Sequence, residues 1–196
     1  KSFRVVERKL YLQFPLFYLH YSKFYSMEII NDKGEIRKVF KSLMDKHRKY
    51  FWVARFARST FPFIFDLADH ESKIFKIAVG LNGLETSPTF INEFFDCKAV
   101  RYFKKDSIPN DIDLFLFYTS ETNWDLLYGT ITINKDSFDN IPQFTYHTSA
   151  VDDINGTQLV KTFEAIDQIW SRTFEISEEE YEEYWEKWSK DLTSQE

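Results

Sequence analysis

Three near-continuous apolar segments in the middle of the chain constrain its fold more than any other feature. They run over residues 98–104, 111–119 and 125–133, and short polar connections separate them. Such segments suit strands at the centre of a sheet, because a central strand is buried on both faces. Short connections favour antiparallel pairing of successive strands. We therefore predict a mainly antiparallel sheet of about five to seven strands.

Amphipathic helices are predicted on both sides of this strand block. Before it, apolar residues between 36 and 44 recur at helical spacing, and the same spacing returns over 156–170. The last helix is predicted over 177–192, where Ser177 and Glu180 have the spacing of a capping box. The chain is therefore expected to end in two amphipathic helices.

Two further elements are predicted around residue 80. Segment 61–79 is expected to form two strands around a polar turn at 68–72. A short helix should follow Ser87, a candidate N-cap, with Pro88 in its first position.

Strands in the middle of a chain and helices at its flanks are typical of the α+β class. The 196 residues fit one domain, so we predict a single globular α+β domain over 1–196. The sequence begins with Lys1, and Met27 is an alternative start. Residues 1–26 are thus either part of the fold or a non-native, extended N-terminal segment.

Composition and missing motifs restrict the function. Cys97 is the single cysteine, so an intramolecular disulfide and a cysteine zinc cluster are excluded, and a cytoplasmic location is predicted. We expect Cys97 to be a small buried residue rather than a catalytic thiol. No apolar run reaches the roughly 18 residues of a membrane helix, so no membrane partner is predicted. Phosphate-loop, nucleophile-elbow and zinc-protease motifs are absent from the sequence, and no cofactor is predicted.

Acidic side chains crowd two parts of the chain in patterns that could hold a metal ion. Asp111 and Asp113 stand two apart at a strand start, and Asp66, Asp69 and Glu71 surround the polar turn. Such spacings arise easily in charged sequences. We interpret them as a strand cap and a turn, and predict no metal site.

Charge is unevenly distributed along the chain. Residues 1–60 hold 14 Lys and Arg against 5 Asp and Glu, whereas residues 151–196 hold 4 against 13. A dense carboxylate face on a helix can steer and bind a basic protein. The favoured hypothesis is a non-catalytic, intracellular protein-interaction module, most concretely an immunity or antitoxin-type inhibitor of a basic toxin or nucleic-acid enzyme. Its partner-binding residues would be Glu178, Glu179, Glu182, Glu183 and Glu186.

An enzymatic alternative comes from two short histidine motifs. The segments "HYS" at 20–22 and "HTS" at 147–149 resemble the His-x-Ser/Thr motifs of two-histidine phosphoesterases. The resemblance implies that one imidazole acts as base and the other as acid on a phosphodiester. Its catalytic residues would be His20, Ser22, His147 and Ser149.

A second alternative is nucleic-acid binding by the basic N-terminal third. Cations interleaved with aromatic residues, as in 46–58, can contact phosphates and stack on bases. A pI of about 5.3 makes this less favoured than a protein partner. The residues proposed for it are Arg37, Lys38, Lys41, Arg48, Lys49 and Arg55.

Overall fold

A computed structural model describes seven stretches of the chain: 28–30, 33–57, 67–81, 86–104, 113–133, 140–148 and 156–193. Within them are seven strands, four α-helices and one 3₁₀ helix. The strands are β1 (Glu28–Ile30), β2 (Lys49–Ala54), β3 (Ile74–Gly80), β4 (Val100–Phe103), β5 (Asp113–Ser120), β6 (Asn123–Ile133) and β7 (Asn140–Thr148). The helices are α1 (Lys33–Lys46), the 3₁₀ helix (Ala68–Lys73), α2 (Pro88–Glu93), α3 (Thr157–Trp170) and α4 (Glu178–Thr193).

The strands form one mixed sheet in the order β1-β7-β6-β5-β2-β3-β4. The pairs β1–β7, β7–β6, β6–β5 and β5–β2 are antiparallel. The pairs β2–β3 and β3–β4 are parallel. The α+β class is therefore correct, whereas the expectation of a mainly antiparallel sheet holds for only one side of it.

The connections explain this difference. A tight turn at 121–122 joins β5 to β6, and these strands pair antiparallel as predicted. The turn expected at 68–72 is instead the 3₁₀ helix, and it leads into a β3 that pairs parallel with β2. Helix α2 lies between β3 and β4, and a crossover of this kind returns the chain in the same direction. The first strand expected in segment 61–79 falls mostly outside the described residues.

One face of the sheet packs against α1 through an aromatic core. The predicted apolar stripe of α1 is buried, and Phe40 at its centre is fully enclosed. The Phe40 ring centroid lies 4.9 Å from that of Phe115, 5.5 Å from Phe117 and 5.9 Å from Trp52. Each such edge-on pair contributes about 0.5–1.5 kcal/mol beyond the area that it buries.

The opposite face of the sheet packs against α3. Because side chains alternate along a strand, Phe51 and Val53 of β2 point away from the α1 core. Leu159 and Ile166 of α3 are buried against this second face, and Phe163 lies 4.9 Å from Phe51. The predicted stripe on 156–170 is thus the contact surface of α3.

Helix α4 is placed by α2 and by the sheet edge. Ser87 caps α2 as predicted, its Oγ accepting a hydrogen bond from the Thr89 N–H. Between α3 and α4, Phe174 exchanges two backbone hydrogen bonds with Tyr102 of β4, at 2.8 and 2.9 Å. This contact partly covers the exposed edge of the sheet and brings the chain to the start of α4 beside α2.

In the described part of the chain, none of the helices combines the length and the apolar character needed to cross a bilayer.

Candidate functional site

The start of α4 is fixed by the predicted capping box. The Ser177 N–H donates to Glu180 Oε2 at 2.9 Å, and the Glu180 N–H donates to Ser177 Oγ at 3.2 Å. These hydrogen bonds satisfy two donors at the helix start that would otherwise lack partners. Hydrogen bonds from Ser177 also lower the pKa of the Glu180 carboxyl. The helix therefore begins at a defined residue and presents its side chains in a fixed register.

Two tyrosines attach α4 to the rest of the fold. The Tyr184 hydroxyl donates to the Thr86 carbonyl oxygen at 2.7 Å, and the Tyr181 ring lies 5.9 Å from Phe95. Both tyrosines pack against the core on the α1 side of the sheet. The opposite side of α4 consequently faces outward.

The outward side of α4 is strongly acidic. Seven of the 16 residues in Glu178–Thr193 are Asp or Glu and two are Lys. Two carboxylates form exposed i, i+4 ion pairs: Glu183 with Lys187 at 3.5 Å, and Glu186 with Lys190 at 3.3 Å. Exposed pairs of this type contribute only about 0.3–0.5 kcal/mol each. All five predicted partner-binding residues are exposed: Glu178, Glu179, Glu182, Glu183 and Glu186.

Trp185 lies at the border between the buried and acidic sides of α4. Its side chain is 45% exposed, and its ring stacks on Trp188 at a centroid distance of 6.4 Å. Tyr181, Glu182, Trp185 and Glu186 line a shallow depression of about 350 Å³. In the sequence, Tyr181, Tyr184, Trp185 and Trp188 form an aromatic stripe at helical spacing, which does not identify Trp185 as exposed. At about 100° per residue, however, it falls at the edge of that stripe.

The residues proposed for nucleic-acid binding do not form one uniform surface. Arg37, Lys38 and Lys41 are exposed on α1, whereas Arg48 and Lys49 are exposed at the start of β2. Lys49 Nζ lies 4.6 Å from the ring centroid of Phe75, which is itself 49% exposed.

Arg55 differs from the other cations of this set. Its backbone N–H donates to Asp113 Oδ1 at 2.7 Å, and its Nη2 lies 3.3 Å from Asp113 Oδ2. Asp113 is buried, so the pair connects the end of β2 to the start of β5. Asp113 thus acts as a structural partner of Arg55, in line with the strand-cap interpretation.

A buried polar cluster that the sequence does not predict surrounds Asp125 of β6. Asp125 Oδ2 accepts hydrogen bonds from Lys46 Nζ at 2.6 Å and from His47 Nε2 at 2.5 Å. Its Oδ1 accepts one from the Tyr146 hydroxyl at 2.6 Å. His47 Nδ1 in turn lies 3.1 Å from Thr119 Oγ1. The cluster joins the end of α1 to three neighbouring strands.

The order hydroxyl, imidazole, carboxylate in this cluster is also that of a nucleophilic relay. However, the His47 and Asp125 side chains are both 0% exposed, so the imidazole is enclosed in this structure. Because His47 Nε2–H donates to Asp125, Nδ1 is the acceptor of a hydrogen bond from the Thr119 hydroxyl. Both ring nitrogens of His47 and both carboxylate oxygens of Asp125 therefore have hydrogen-bond partners. We assign the cluster a structural role, in which it attaches the end of α1 to the sheet.

The histidine motifs of the enzymatic alternative fall largely outside the described residues. His20, Ser22 and Ser149 all lie there. His147 is in β7, opposite Leu126 of β6. The phosphoesterase hypothesis therefore stays a prediction.

Two further kinds of reactive group are the Cys97 thiol and the side chains that could bind a metal ion. Burial raises the pKa of the Cys97 thiol, which disfavours the reactive thiolate. Across the stretches that the structure describes, no three His, Cys, Asp or Glu side chains are grouped to hold a metal ion.

The sequence matches no protein-family model and no curated protein. The functional argument therefore rests on the geometry described above.

Proposed function

We propose that this protein is a non-catalytic interaction module that binds a basic protein partner through the outward side of α4. The observation that carries the proposal is the exposed Trp185 beside carboxylates on a firmly attached helix. Tryptophan is among the residues that contribute most to protein interfaces when a partner buries it. The proposed binding surface consists of Trp185 with Glu178, Glu179, Glu182, Glu183 and Glu186.

The charge of this surface defines the partner's chemistry. Glu179 and Glu182 have no ion-pair partner among the described residues, and the pairs of Glu183 and Glu186 are weak and exposed. Electrostatic attraction would steer a basic partner towards this side, and its cations would neutralise the carboxylates. An acidic protein would be repelled. At 1.5 Å per residue, the carboxylates extend over about 12 Å of helix.

The most concrete form of the proposal is an immunity or antitoxin-type inhibitor. A toxin or enzyme that acts on nucleic acid carries a cationic surface for phosphates. A row of carboxylates on a rigid helix can occupy such a surface in place of phosphates, with aromatic contacts holding it there. The cytoplasmic location predicted from the single cysteine remains part of this proposal.

The test begins with capture of the partner from a lysate of the source cell, with nuclease treatment to remove contacts mediated by nucleic acid. The triple variant Glu179→Lys, Glu182→Lys and Glu183→Lys should then weaken the purified partner's affinity by at least about tenfold. Three exposed acidic residues elsewhere provide a control with the same change in net charge: Glu71→Lys, Glu121→Lys and Glu164→Lys.

The two triple variants separate a local surface from overall charge. The control should keep the wild-type affinity to within about twofold, and circular dichroism should show both variants folded. Equal losses in the two variants would mean that net charge alone drives binding. An unchanged affinity in the α4 variant would remove this surface from the proposal.

A second candidate function is nucleic-acid binding at the start of β2. The observation that favours it is the half-exposed Phe75 with Lys49 over its ring and Arg48 nearby in sequence. An exposed ring flanked by cations can stack on a base while the cations contact phosphates. Filter binding of single-stranded RNA should then fall steeply as salt rises, and Lys49→Glu should weaken it. No retention at low salt would exclude this function.

A further inference from the structure

Trp170, at the end of α3, shows how this fold surrounds an accessible tryptophan with cations. Lys76 Nζ lies 5.9 Å from the Trp170 ring centroid and 2.5 Å from Asp167 Oδ1. The Arg101 Cζ lies 5.0 Å from the same ring, and its Nη2 is 2.8 Å from Glu175 Oε1. Each cation therefore contacts the ring and a carboxylate together. This arrangement combines a cation–π contact with an ion pair.

Trp185 on α4 has a carboxylate at the same spacing, but none of the described cations lies over its ring. Glu182 precedes Trp185 by three residues, as Asp167 precedes Trp170. Residues three apart on a helix are neighbours on its surface. Glu186 adds a second carboxylate to the depression. Of the lysines and arginines in the described ranges, however, none lies over the Trp185 ring.

We propose that Trp185, Glu182 and Glu186 form a receptor for a lysine or arginine side chain of the partner. The inference rests on the proposed function and names the chemistry of its central contact. The incoming cation would lie over the Trp185 ring and pair with the Glu182 carboxylate, as Lys76 does with Trp170 and Asp167.

A cation fits this depression better than an apolar side chain does. An apolar group over Trp185 would strip water from two carboxylates without replacing their hydrogen bonds, which is costly. An ammonium or guanidinium group supplies those bonds and also favours the ring face. An incoming cation can replace Lys190 beside Glu186, because this ion pair is 3.3 Å long and the Lys190 side chain is 77% exposed.

The experiment follows the tryptophan indole N–H signals by NMR while hexalysine is added at low ionic strength. The chain has five tryptophans, and the Trp185 signal is identified as the one that Trp185→Phe removes. We expect this signal to shift in a saturable way. Hexalysine acetylated on every ε-amine has lost its side-chain charges and should leave the signal unmoved.

Two single variants provide the matched comparison. Glu182→Gln and Glu164→Gln remove the same charge from exposed helical positions, but Glu164 lies on α3, outside the depression and outside the proposed binding surface. Glu182→Gln should weaken hexalysine binding by about threefold to fivefold, and Glu164→Gln by less than about twofold. That difference, together with the Trp185 shift, would support the receptor.

The contrary results distinguish the two proposals. If hexalysine binds but Trp185 does not respond, the receptor is wrong while an acidic binding surface survives. If the two variants lose affinity equally, net charge alone attracts hexalysine and neither the receptor nor a local acidic surface is supported. If hexalysine does not bind the wild-type protein at low salt, both the receptor and the proposed acidic surface are wrong.

Discussion

Trp170 at the end of α3 and Trp185 in the middle of α4 both follow a carboxylate by three residues but have opposite surroundings. Trp170 has Asp167 one turn before it and two cations from the sheet over its ring. Trp185 has Glu182 at the same spacing, is 45% exposed, and receives no cation from the described residues. Helix α3 lies on β2 and β3, where Lys76 of β3 and Arg101 of β4 lie over the Trp170 ring, whereas α4 packs on α2. Position in the fold, rather than local sequence, therefore decides which tryptophan ring is covered by cations from the described part of the chain.

The same contrast extends to the charges around each tryptophan. In the body of the molecule, Asp125, Asp113 and Asp167 each have a cationic partner from a distant part of the chain. Among the described residues, the α4 carboxylates pair only with lysines of their own helix or with no cation. Substitutions in the body should therefore change stability, and substitutions on the outward side of α4 should change binding.

The largest effect on stability is expected at Asp125. Asp125→Ala removes the carboxylate that accepts hydrogen bonds from His47, Lys46 and Tyr146, and it leaves the His47 ring buried without that acceptor. Removing one partner from a buried charged cluster costs about 3–5 kcal/mol of the free energy of unfolding. Urea denaturation measures this loss. A loss below about 1 kcal/mol would show that the cluster does not anchor α1.

A smaller effect should separate the two tryptophans. Trp170→Leu removes the ring on which Lys76 and Arg101 lie, and should lower the free energy of unfolding by about 1–2 kcal/mol. Trp185→Leu removes a largely exposed ring and should change it by less than about 0.5 kcal/mol. Urea denaturation of the two variants in parallel makes the comparison. Equal losses would mean that Trp185 is a structural residue and would weaken the case for a binding role.

Among the variants that remove a structural contact, the smallest loss of stability is expected at the start of α4. Ser177→Ala removes half of the capping box and should cost about 1 kcal/mol near neutral pH. Because the pKa of Glu180 is lowered in the folded state, its contribution is present at neutral pH and is lost as the pH falls through that pKa. The difference between wild type and Ser177→Ala should therefore shrink on acidification. A difference that stays constant with pH would show that Glu180 is not the partner that matters.

Local patterns in the sequence predict much of this fold. The four α-helices, the Ser87 cap and the Ser177–Glu180 capping box follow from spacing and from residue type within one or two helical turns. The outward position of the five glutamates follows in the same way. The parallel pairing of β2, β3 and β4 does not, because it depends on where the crossover connections take the chain.

The charged contacts of the body are not predictable from local sequence. Lys46 meets Asp125 across 79 residues of sequence, and Lys76 meets Asp167 across 91. His47 stands in a basic segment, and neither it nor Asp125 shows a spacing that reveals the other. The sequence does offer one signal: Asp125 is a charged residue at the start of a predicted buried strand. Such a residue requires a partner.

The most direct test of the central claim is the affinity of the captured partner for Trp185→Ala. If α4 is the binding surface and Trp185 its anchor, affinity should fall by about thirtyfold, equivalent to about 2 kcal/mol. The urea midpoint should stay close to that of the wild type. An affinity within about twofold of wild type, with the fold intact, would contradict the account and place the partner on another surface.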